Sequence, residues 1–216
     1  MRFFSPDSKL MQAISRISDL VIVNLLFLIT CIPLFTIGAS LTALYTVCFK
    51  LGTDKEEGAV RPYLRAFRDN FKQSTVLWLI LAFFGGTTIA NIALAYSYSG
   101  LLGYTYIVFI GLFFLLLMIG AYVFPLVSQF WNDNASVLKN ALLLSIGYLP
   151  RTIIIVVFNV LPFVMFLSDL YMFFYCAMIW VMIYFSAAAY LNANILRKAF
   201  ARFYPEEAPQ QVKEEV

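Results

Sequence analysis

Fifteen Lys and Arg residues stand in this 216-residue chain, and each lies between long apolar runs or at the edge of one. A cation at the centre of a bilayer costs about 2.5–3.5 kcal/mol, whereas Lys- and Arg-rich loops are retained on the cytoplasmic side during insertion. The layout therefore predicts an integral membrane protein with a basic cytoplasmic face. Composition agrees: 62% of residues are hydrophobic and only 12% charged, against about 25% charged in an ordinary soluble domain.

Four runs have the length of a crossing, roughly 20 apolar residues: 75–97, 104–127, 149–167 and 170–192. They pair through two short connections, 99–103 and 168–169, that hold no Lys or Arg. A further apolar stretch, 17–49, would extend roughly 50 Å as one helix, too long for one crossing of a 30 Å core, and it is interrupted by Pro33 and Gly38. With a turn at Pro33 facing outwards, Arg2, Lys9 and Arg16 join the other twelve cations inside, so the positive-inside rule favours three hairpins, six segments and both termini cytoplasmic. A re-entrant first hairpin, or five crossings with an external N-terminus, also fits the lengths. The fold class is thus all-α: a polytopic transmembrane bundle of five to six segments with cytoplasmic amphipathic helices. Residues 1–203 form a single membrane domain, and 204–216 a disordered cytoplasmic tail.

Two segments between crossings have helical periodicity. In the first, Val60, Tyr63, Leu64, Phe67 and Phe71 share one side while Arg61, Arg65, Arg68, Asp69 and Lys72 share the other, the pattern of an interfacial helix. The second, 134–147, is more apolar and includes Lys139 and Asn140. Together, Phe67, Asn70, Phe71, Lys72, Lys139 and Asn140 make the candidate cytoplasmic contact.

Polar groups inside the apolar runs are few. Asn24, Asn91, Asn159 and Asn192 suit interhelical hydrogen bonding, which is worth roughly 0.6–2 kcal/mol each. Asp19 lies within one turn of Arg16, a spacing for an interfacial ion pair, and Asp169 suits a helix cap. Six segments put these two acids on opposite faces, which disfavours a catalytic aspartyl pair. Asp19 and Asn24 with Pro33, Thr36 and Gly38 form the candidate functional motif: a proline break frees carbonyls and a following helix start offers amides, as at transporter midplane sites. The chain has no His, which removes His-based zinc sites and Ser-His or Cys-His catalysis. Cys31, Cys48 and Cys176 show no paired spacing and behave as small hydrophobes. No metal, cofactor or nucleic-acid module is predicted, and a non-enzymatic role is favoured.

Asp19 to Asn24, Cys31-Ile32-Pro33, Thr36-Ile37-Gly38-Ala39, then Phe67, Asn70-Phe71, Lys72-Gln73-Ser74-Thr75 and Trp78 resemble the YesL-like family of bacterial membrane proteins. Lys139-Asn140-Ala141 and Leu149-Pro150 fit its second half. The resemblance implies a bacterial cell membrane location and a setting of carbohydrate uptake through ABC importers or its sensing. Partners would be the lipid bilayer and an importer permease, its ATPase or a membrane sensor kinase. The family's molecular function is unknown. Asp133-Asn134-Ala135 followed by Ile146 and Leu149-Pro150 more loosely resembles the ATPase-coupling segment of ABC permeases, although Asn134 stands for its Gly and Ile146 is displaced by one position. The expected role is an accessory component of such uptake; the alternative is a transporter or permease-like subunit in its own right.

Overall fold

The computed structural model describes residues 9–51, 58–97 and 101–203; the predicted tail lies outside them. Among the described residues the structure is helical without strands: α1 (Lys9–Thr30), α2 (Ile37–Lys50), α3 (Val60–Tyr96), α4 (Thr105–Gln129), α5 (Asn134–Gly147) and α6 (Leu149–Ser168). An interrupted last run follows: α7 (Leu170–Tyr175), α8 (Ala177–Ile179), a π-helical turn Trp180–Tyr184 and α9 (Phe185–Phe203). Four stretches are long and apolar enough to span a bilayer: Val60–Tyr96, Thr105–Gln129, Leu149–Ser168 and Ala177–Ala201. Their outward faces carry bare Phe83, Val108, Phe163 and Met178, each more than 60% exposed. Lipid is the solvent that such a surface needs.

α5 has the predicted limits. Asp133, in extended conformation, accepts from the Ser136 amide at its start, and hydrogen bonding with Ser136 holds its carboxyl below the usual range. Val137, Ala141, Leu144 and Ser145 form the buried face against α4.

α3 joins two elements that were expected to be separate. Nothing between Lys72 and Thr75 breaks a helix, so the amphipathic segment runs into the crossing as one helix of 37 residues, about 55 Å long. Its buried stripe is also rotated from the expected one. Tyr63, Ala66, Ser74 and Leu77 face the core, Phe67 is half-buried, and Val60, Leu64 and Phe71 stand exposed beside Arg61, Arg65 and Arg68. The exposed Val60, Leu64 and Phe71 suit the headgroup boundary expected of an interfacial helix.

Contacts along the helices fix their directions. α3 and α4 form an antiparallel hairpin: Gln73 donates to the Asn132 carbonyl at one end, Trp78 packs on Phe124, and Tyr96 meets Tyr106 at the other. At the Gln73 end, Phe49 stacks on Phe200 and Phe130 meets it edge to face, close in sequence to Arg197 and Lys198. This is the basic end of the molecule; Tyr96, Tyr106 and the α6–α7 turn mark the far end.

The stretch 17–49 does divide at Pro33, but its break sits towards the basic end. Trp78 Nε1 donates to the Leu34 carbonyl, and Trp78 lies about 27 Å along α3 from Tyr96. The expectation of a turn facing away from the basic segments is therefore corrected. The direction of α1 follows. Asn24 is bound at Trp180–Ser186, a level reached about 17–26 Å along the last run from Arg197. Thr30, further along α1, bonds Tyr63 near the basic end of α3. Between Asn24 and Thr30, α1 thus descends towards the basic end. α2 then passes through the core, in contact with α3, α4 and α9, until Phe49 meets Phe200.

Gly38 permits that passage. A Cβ on Gly38 would overlap the Ser74 carbonyl oxygen and stand 2.7 Å from the Trp78 Cβ. Because the nearest atom is backbone, a neighbouring rotamer change cannot relieve the overlap. Gly38→Ala is expected to lower the melting temperature in detergent, at an overpacking cost of about 1–3 kcal/mol. Gly120→Ala, whose Cβ would meet Leu81 at an ordinary 3.9 Å, should leave it unchanged or raised. Equal melting of Gly38→Ala and the parent would refute the close approach.

Candidate functional site

The π-helical turn Trp180–Tyr184 shifts hydrogen bonding from i→i+4 to i→i+5 and so disturbs the regular backbone pairing around it. Inside a bilayer those groups need protein partners. Asn24, fully buried, supplies them: its Nδ2 donates to the carbonyls of Trp180 (3.1 Å) and Val181 (2.6 Å), and its Oδ1 accepts from the Ser186 amide (3.0 Å). One side chain therefore bridges three backbone groups across the turn. Phe27 on Phe185, one turn along α1, adds an apolar contact.

The Pro33 break is satisfied in the same manner. Leu34–Thr36 form a single 3-10 turn, closed by Thr36 N–H to the Pro33 carbonyl at 2.9 Å. The buried Thr36 hydroxyl lies 2.5 Å from the Thr30 carbonyl and 2.6 Å from that of Pro33. Thr30 Oγ1 in turn shares a 2.6 Å hydrogen bond with Tyr63. Thr42 and Ser74 pair at 2.8 Å one step deeper. The Thr30, Pro33 and Leu34 carbonyls at the break thus already have donors.

The candidate motif is only partly brought together. Pro33, Thr36 and Gly38 share the break, with Pro33 exposed, while Asn24 works at the π turn and Asp19 lies beyond it towards the far end. Asp19 and Arg16 do not form the expected ion pair; the pair that does form nearby in type is Arg65–Asp69 on α3, at 3.7 Å. Asp169 caps α7 as expected, accepting from Tyr171 and Met172. Asp19 lies five residues before Asn24 on α1, and Asp169 at the α6–α7 turn. Asp169 is exposed and committed to its cap.

The candidate contact residues divide between two helices of the basic end. Phe67 and Phe71 stack edge to face at 5.5 Å, and Asn70 turns back to the Ala66 carbonyl. Lys72 and Lys139 are exposed, and Asn140 is half-buried on α5. Gln73, absent from the candidate set, ties α3 to the α4–α5 link through Asn132 at 2.6 Å. Two further bridges were missed as sites. Tyr122, Thr152 and the Ser145 carbonyl join α4, α6 and α5; Asn192 reaches Asn159 and Tyr45. Asn159 and Asn192 were visible as amides in apolar runs, but no spacing rule reveals that they meet.

Residues 20–92 match a family model described as a protein of unknown function, DUF624. This stretch contains the first-half motifs from residue 20 onwards that carry the YesL-like resemblance, and the match bears it out. No curated protein and no solved structure matches the chain.

Replacing Asn24 by Leu would strand two carbonyls and an amide in an apolar setting. Each unsatisfied buried group costs about 1–3 kcal/mol, so Asn24→Leu is expected to speed proteolysis at 175–186 and to lower the melting temperature. Asn24→Asp, which keeps an acceptor for the Ser186 amide but loses both donors, should also destabilise. Unchanged proteolysis in both variants would show that the bridge does not support the turn.

Proposed function

We propose that this chain is a non-enzymatic accessory protein of a bacterial cell membrane, associated with ABC-type carbohydrate uptake or its sensing, and that it meets its partner at the basic end. The observation that carries the reading is the division of labour among its polar groups. Asn24 and Thr36 are engaged in satisfying backbone groups, and Gly38 in close packing, which leaves the break as a joint and not a lined path. At the basic end the balance is reversed: Arg61, Leu64, Arg65 and Phe71 on α3, with Lys139 and Leu143 on α5, are exposed. Such mixed apolar and cationic faces suit an acidic protein partner at the headgroup level. The uptake setting itself comes from the YesL-like resemblance.

Twelve of the fifteen cations follow Phe49 in sequence, so the positive-inside rule assigns the basic end to the cytoplasm. Five crossings then follow, α1 being the first, with its early turns outside. In a Cys-free background, Ile14→Cys should react with an impermeant thiol reagent on intact cells and Lys139→Cys only after permeabilisation. Protection of Ile14→Cys until permeabilisation would return the chain to three hairpins.

The partner is tested by photo-crosslinking from Leu64 and Leu143 in cells grown on a carbohydrate taken up through an ABC importer. Permease, ATPase or sensor-kinase subunits should be recovered from both positions and not from lipid-facing Phe163. Recovery of the protein alone, with Asn24→Gln or Thr36→Val changing uptake at unchanged protein level, would favour a transport path instead.

A further inference from the structure

We propose that the groove between α6 and α9 at the basic end binds an anionic phospholipid, with the phosphate between Arg151 and Lys198 and an acyl chain along Ile154, Phe158 and Leu191. The groove has a volume of 510 Å³, and no acidic residue lines it. Arg151 stands in the first turn of α6 and Lys198 near the end of α9, so both cations occupy the basic mouth. From there the walls continue as apolar surface up the two crossings. A charged head and a greasy tail are therefore matched in the order in which a lipid presents them.

Arg151 supplies the second observation. Its guanidinium lies 5.1 Å from the centroid of the Tyr148 ring, which holds it in place. Its Nη1 is nevertheless shut off from solvent and has no hydrogen-bond partner. A guanidinium is a donor only, and leaving a charged donor unpaired in such a place is costly. No acidic residue lines the groove beside Arg151 and Lys198, so an anion matches its charge. The neighbouring Arg197 differs: it donates to the Phe49 carbonyl and lies against that ring. Asn194 adds an amide at the groove wall for phosphate or glycerol oxygens. A free phosphate would satisfy the cations equally well, and only the apolar walls distinguish the lipid.

The test is native mass spectrometry of the full chain released from detergent, titrated with phosphatidylglycerol, phosphatidylcholine and inorganic phosphate. Phosphatidylglycerol should bind more tightly than phosphatidylcholine, and Arg151→Gln and Lys198→Gln should each weaken it about fivefold, the value of one basic residue at an anionic surface. Arg151→Lys should restore part of the loss, and Arg61→Gln, a cation outside the groove, should leave it intact. Phe158→Ala should weaken phosphatidylglycerol and leave phosphate binding unaltered. Equal binding of the two lipids would overturn the proposal, as would an effect of Arg61→Gln as large as that of Arg151→Gln. Displacement of the lipid by inorganic phosphate together with indifference to Phe158→Ala would reduce the site to an anion site and overturn the lipid assignment. Lipid-free melting temperatures of each variant identify any that fail to fold, and Lys198→Gln, at an exposed position, keeps the test decisive if Arg151→Gln is among them. The inference does not depend on the accessory reading.

Discussion

A backbone that leaves regular helix inside lipid must find its hydrogen bonds within the protein, and that requirement organises this fold. The chain leaves regular α-helix at the Pro33 turn and at the π turn of the last run. Each departure is closed by side chains from a neighbour: Thr36, Thr30, Tyr63 and Trp78 at the first, Asn24 at the second. The two joints lie at opposite ends of the lower half of α1, so the same helix that supplies Asn24 also delivers the chain to the proline. Interhelical amide and hydroxyl bonds are modest individually. Their effect here is to fix rotation and depth, which apolar packing in a lipid solvent specifies only weakly.

α2 is the element on which the packing converges. Gly38, Ala39, Ser40 and Ala43 give it a small-residue surface, and small residues let helix backbones approach closely where no hydrophobic force draws helices together. Its polar groups are spent locally or across one contact: Ser40 and Thr46 turn back to carbonyls one turn earlier, and Thr42 meets Ser74. Tyr45 and Phe49 then continue a ring-to-ring contact into Phe200 and Phe130. The partner surface proposed at the basic end is consequently backed by a packed layer rather than by lipid.

Much of this architecture was legible in the sequence, and the parts that were not share a cause. The limits of α5 came from a run of apolar spacing, a local signal. The four long crossings came from length and apolarity. The rotation of α3 did not, because Leu64 and Phe71 look equally suited to protein or lipid, and only the close approach of α2 selects Tyr63 and Ala66 for burial. The partners of Asn24 and Thr30 were not legible for a related reason: those bonds join residues 33 to 162 positions apart. At the candidate site, the residues singled out were indeed unusual, but their distinction lay in repairing the backbone. The π turn left no mark, since 176–184 contains neither Gly nor Pro.

That turn has a consequence for how the chain can vary. A π turn carries one residue more than the α-helical geometry needs, and one residue is about 100° of rotation. Before it, Met178 and Ile179 face outwards; after it, Ser186, Ala189, Ala193 and Leu196 face the core. Loss of a single residue between Trp180 and Tyr184 would therefore re-index every later side chain, taking the alanine face away from α2 and turning Arg197 off the Phe49 carbonyl. Substitutions along the last run can be absorbed one at a time, but its length in this segment behaves as a phase setting for the whole C-terminal helix.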